Sequence, residues 1–107
     1  MSTTTNVPLT ITPEAAEHVA RLSLQNELNQ AIEQARQTMP GLKSILIKLQ
    51  PAYDLDIPCL VIEPTIASWA AGLAAEESWW KWRGEMLPPQ VAEHFALLVV
   101  AESPDAR

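Results

Sequence analysis

The hydrophobic pattern changes period across the segment "MPGLK", Met39 to Lys43, and this change constrains the fold more than any other feature of the chain. Before it, apolar residues recur at helical spacing. After it, Ile45, Ile47 and Leu49 alternate with Ser44, Lys48 and Gln50, the period-2 pattern of a strand with one solvated face. Pro40 cannot continue a helix and Gly41 suits a left-handed exit, which makes the boundary sharp. A chain that is helical first and strand-forming next reads as α+β.

Upstream, the helix start is equally well marked. Thr12 supplies a capping hydroxyl, Pro13 fits the first helical position and Glu14 places a negative charge in the first turn. Residues 1–11 read as a flexible tail or a short edge strand. Ala15, Ala16, Val19, Ala20 and Leu22 make one apolar stripe, whereas Leu24, Leu28, Ala31, Ile32, Ala35 and Met39 make another, offset in phase. Either one long helix runs through with a shifted face, or it breaks near Ser23.

Downstream, "CLVIE" from Cys59 reads as a second strand, buried on both faces and antiparallel to the first across the proline-bounded connection Pro51 to Pro58. Pro64 is expected to close it, Thr65 to cap a tryptophan-rich helix, and Gly84 to stop that helix. The last apolar run, "FALLVVAE", fits a strand or a buried helix; Val99 and Val100 favour a helical turn at 89–94 followed by a third strand. The expected fold is therefore a single small α+β domain over residues 12–103 with a tail at 104–107. It has a long N-terminal helix, an antiparallel sheet of two to three strands, and the order α-β-β-α-(β or α).

Composition narrows the function classes. With 48% hydrophobic and 19% charged residues in 107 positions, the chain has a globular composition rather than a disordered one. Its formal net charge is −6, and its seven Lys and Arg residues are dispersed, which disfavours phosphate backbones and anionic membranes. One cysteine, Cys59, can make neither an internal disulfide nor a Cys-rich zinc site. No secretory signal or spanning segment is recognisable, so the expected location is the cytoplasm.

Few residues carry chemistry. Glu14 and His18 share a helix face but supply only part of a metal set; Asp54 and Asp56 lie in a loop without calcium-loop spacing. The segments "PEAAEHVARL" from Pro13 and "PQVAEHFALL" from Pro89 match at six of ten positions and place His18 and His94 in equivalent contexts. Shared helix-start chemistry explains so short a match better than duplication does. Cys59 opens an apolar strand, and Gly41, Gly72 and Gly84 stand singly, so neither a nucleophile elbow nor a phosphate-cradling loop is present. No catalytic residue, metal or cofactor is expected.

The opening "LTITPEAAEHVARL" resembles that of A-type iron-sulfur carrier proteins, which also begin with a short strand and a proline-capped helix. The likeness spans about fourteen residues. Those carriers bind metal through three cysteines in glycine-rich contexts, where this chain has Cys59 alone, and their function is not carried over.

The most specific feature is "EESWWKWRGE" from Glu76 to Glu85, which holds three of the four tryptophans. Trp80 continues the stripe of Ile66, Trp69 and Leu73 and is expected to point inward. Trp79 and Trp82, with Arg83 and Met86, then share a second face, which is either covered by the following "LPPQV" segment or open to a partner. Tryptophan and arginine are the residue types most enriched at interface hot spots. The chain thus reads as a non-catalytic interaction module, pairing with itself or with another protein. The alternative is a small ligand-binding or enzymatic domain whose pocket, between helices and sheet, is lined by Tyr53, Cys59, Trp69, His18 and His94.

Overall fold

In the computed structural model, which describes residues 7–51 and 58–103, the chain forms a mixed sheet with its helices packed on one face. The elements are β1 (Leu9–Ile11), α1 (Pro13–Leu22), α2 (Gln25–Thr38), β2 (Leu42–Pro51), β3 (Pro58–Ser68), α3 (Trp69–Met86), α4 (Pro89–Ala92), β4 (Phe95–Leu97) and β5 (Val100–Ser103). The α+β class and the antiparallel β2–β3 pair are as expected. The sheet is larger than expected, with five strands instead of two or three, and it is mixed: β1 runs parallel to β2, while β4 and β5 both run parallel to β3.

The two helical stripes belong to two helices. The Thr12 side chain accepts a bond from the Ala15 amide, starting α1 as the sequence indicates. Ser23 then adopts a left-handed conformation, φ 56° and ψ 45°, and ends it. The break lets Ala15 and Val19 on α1, and Leu28, Ala31, Ile32 and Ala35 on α2, all reach one core. A straight helix would have turned one stripe to solvent.

Pro64 does not close β3. Alternate residues of a strand direct their amides to the same side, and the Leu60 amide bonds to the His94 carbonyl on the β4 side. The position of Pro64 would therefore send its amide the same way. There the ladder is interrupted: β4 pairs with β3 up to Ile62, and β5 resumes at Thr65. The proline without an N–H lies opposite the gap, so no ladder bond is lost and the strand continues to Ser68. Thr65, held between Ser44 and Val100, is a strand residue and not a helix cap.

Helix α3 accordingly starts at Trp69, and it passes through Gly84 to Met86. Its stop is Leu87, extended at φ −106° and ψ 137° because Pro88 follows and excludes helical backbone before it. The same rule ends α2 at Met39, before Pro40. As expected, residues 89–94 make a helical turn and a strand follows.

The inner face of the sheet carries Ile45, Ile47, Leu60, Ile62, Pro64, Ile66, Phe95 and Leu97, all buried. The opposite face carries Lys48 and Glu63, which pair at 2.9 Å. No helix among the described residues is long and apolar enough to cross a membrane.

Candidate functional site

Helix α3 decides the fate of the tryptophans. Successive helical residues are about 100° apart, so Trp79 and Trp80 must face different surroundings. The side that meets the core is Gly72, Ala75 and Trp79, all buried. Trp79 is 0% exposed, and its indole Nε1–H donates to the Ala31 carbonyl at 3.1 Å. A large ring is accommodated because its neighbours on this side are Gly and Ala. The expected assignment is thus reversed: Trp79 pins the core and Trp80 lies outside, 38% exposed. The physical reason is that a face of small residues lets the helix approach the sheet closely, whereas the stripe of Trp69, Leu73 and Trp80 would have held it off.

The other members of the expected second face divide. Trp82 is half-buried against the core, its ring 5.9 Å from that of Trp79, and the Trp80 ring meets Trp79 edge-on at 5.4 Å. Arg83 turns inward: its Nε–H donates to the carbonyls of both Ala92 and Phe95 at 2.8 Å, clamping α4 to β4. Its guanidinium carbon lies 5.1 Å from the centroid of the Trp80 ring. Met86 is 63% exposed at the helix end.

What remains open on α3 is the flank expected to face the core. Leu73 is 50% exposed, and Trp80, seven residues on, lies within roughly 20° of it around the axis. Glu77, Lys81 and Gly84 border these two, all exposed. A Cβ added at Gly84 would meet nothing within 4 Å, so this flank is clear at its far end.

Of the described residues expected to line a pocket, Trp69 lies apart from the others. Trp69 starts α3 beyond the far end of β3, while His94 bonds to Leu60 near its beginning; the eight steps along the strand from Leu60 to Ser68 span about 26 Å. Tyr53 lies outside the described residues, as do Asp54 and Asp56. Cys59 pairs with Gln50 near the start of β3, and its Sγ is 4.0 Å from the Glu93 carbonyl. Burial pushes its thiol pKa up, with Arg83 pulling partly the other way, and a protonated thiol is a weak nucleophile.

The two histidines do meet. His18 of α1 and His94 of the α4–β4 turn have ring centroids 5.8 Å apart, tilted by 52°. The matching decapeptides thus bring their equivalent residues together, although the first forms a ten-residue helix and the second a single turn and a strand. His18 is 3% exposed, and its Nδ1 accepts from Arg21 Nη2 at 3.3 Å. Desolvation, then the neighbouring His94 and the Arg21 cation, hold its pKa below the usual value. The buried atoms His18 Nε2 and His94 Nδ1 have no hydrogen-bond partner. Arg21, three residues after His18 on the same helix, was legible as a neighbour by spacing alone.

Comparison of the chain with protein-family models, with curated proteins and with solved structures gives no match. The short strand and proline-capped helix expected at the opening are present as β1 and α1.

Proposed function

We propose that the chain is a non-catalytic, cytoplasmic interaction module that pairs with a second copy of itself through the exposed flank of α3. The observation that carries this reading is the pair Leu73 and Trp80, two large apolar side chains left half in solvent on one side of a helix whose other side is fully engaged. Aromatic anchors with polar borders are the usual make-up of an interface centre.

The border charges favour a second copy as partner. In an antiparallel pairing of two α3 helices centred on Trp79, Glu77 of each faces Lys81 of the other, and Gly84 leaves room at each end. A two-fold interface must complement itself in this way. Arg83 keeps Trp80 in place by stacking on its ring, so the anchor is ordered before the partner arrives.

Sedimentation velocity over a wide concentration range tests the reading. Wild type should dimerise, and L73E or W80E should be monomeric. E77K and K81E should each weaken pairing, and the E77K/K81E double variant should restore it. A wild-type chain that stays monomeric at the highest concentration overturns the proposal; dimers that ignore the charge swaps overturn the antiparallel geometry.

A further inference from the structure

We infer that His18 and His94 form a binding site for one divalent transition-metal ion of the imidazole-preferring kind, zinc, copper or nickel. Buried polar atoms nearly always have a partner, and a buried one without any asks for an explanation. Here two such atoms, His18 Nε2 and His94 Nδ1, occur on two rings in contact, contributed by elements more than seventy residues apart. Both atoms are ring nitrogens, the ligand atoms these ions favour.

The spacing suits a shared ion. Metal–nitrogen bonds of about 2.0–2.1 Å put the centroids of two imidazoles on one ion roughly 5–6.5 Å apart. The observed 5.8 Å lies within that range. His94 is only partly covered, so the ion can arrive from its side while His18 provides the sheltered ligand. Among the described residues no group of three His, Cys, Asp or Glu gathers, which leaves the remaining coordination positions to water or to a small donor ligand. Modest affinity follows, because structural zinc sites use four protein ligands and catalytic ones three.

Arg21 gives the site a specific signature. A guanidinium only donates, so His18 Nδ1 is the acceptor in the metal-free chain and its ring proton sits on Nε2. Coordination through Nε2 requires that proton to leave it. The ring stays neutral by taking a proton at Nδ1, and the Arg21 side chain, which is exposed, must then turn away. Metal and arginine compete for the two tautomers of one ring.

The test uses the full chain without any histidine tag, stripped with a chelator and titrated with zinc, nickel and copper ions. A free metal concentration ten times Kd should raise Tm by about 5 °C. Cobalt should add visible absorption bands. H18N and H94N should each abolish the shift, and R21A should tighten binding several-fold by removing the competitor. Should the histidine variants fail to fold, imidazole nitrogen resonances of the wild type decide instead: zinc should move those of both His18 and His94. Millimolar metal without effect on Tm or on these resonances, a shift that survives both histidine variants, or an R21A variant that binds no tighter would overturn the inference.

Discussion

Trp79 and Trp80 are adjacent in sequence and opposite in circumstance. The first is fully enclosed, with its indole N–H on the Ala31 carbonyl; the second is 38% exposed and carries the Arg83 guanidinium over its face. The difference is not one of residue type. It follows from which side of α3 offers small residues to the sheet, so that one tryptophan becomes the deepest side chain of the helix and its neighbour an anchor left to solvent.

The largest effect should come from Trp79. Trp79→Ala removes the bulk of a buried ring and leaves the Ala31 carbonyl to find another donor, and denaturant unfolding followed by circular dichroism should show a loss of about 3–5 kcal/mol. A loss below about 1 kcal/mol would mean that the ring is not enclosed. The two glycines of the same helix sharpen the contrast. A Cβ at Gly72 would strike Cδ1 of the buried Ile66 and touch Val99 Cγ1 at 3.4 Å, so Gly72→Ala should destabilise by about 1–3 kcal/mol despite better helix propensity. Gly84→Ala, on the open flank, should instead stabilise by up to about 1 kcal/mol.

Trp80→Ala is expected to change the stability of the monomer by no more than about 1 kcal/mol, the scale of one exposed cation–π contact. Its effect belongs in association: acrylamide should quench Trp80 fluorescence at low concentration and lose access to it as copies pair. Quenching that is unchanged between dilute and concentrated protein would separate exposure from partnership.

Satisfied and unsatisfied burial can be contrasted as well. Trp79 has a partner for its buried N–H, whereas His18 Nε2 has none. Because the pKa of His18 is lowered from 6.5 in the folded chain, the unfolded chain takes up the proton first as pH falls. Stability should be full above about 6.5, decline from there to the lowered folded value, and decline no further on this account below it. Denaturant midpoints measured between pH 8 and pH 5 on wild type and on a His18→Gln variant check this, since the variant should lose that part of the slope.

Much of the local structure was legible in the residues themselves. Thr12 and Pro13 start α1, Pro40 and Gly41 end the helical half, and the alternation of Ile45, Ile47 and Leu49 makes β2, because capping, proline geometry and side-chain period act over a few residues. The readings of Pro64 and Gly84 as element ends failed. Pro64 sits inside β3 because the neighbouring edge has a gap at that point. Gly84 remains helical because Pro88, not a glycine, terminates α3. Of the two readings open for the first helical segment, the break at Ser23 is the one realised, because two stripes must share one core.

The candidate site divides along the same line. That "EESWWKWRGE" marks the most informative helix was readable from composition, and so was the equivalence of His18 and His94 in two similar segments. Which tryptophan faces inward was not, because both neighbouring stripes on α3 are apolar and only the closeness of approach to the sheet selects between them. Nor was the meeting of the histidines, since it requires α1 and the α4–β4 turn to converge across β2 and β3. The sequence by itself determined where α1 starts, where the helical half gives way to β2 and that the chain carries one tryptophan-rich helix; the tertiary structure alone decided that helix's rotation, because burial is a property of the whole packed layer and not of any segment within it.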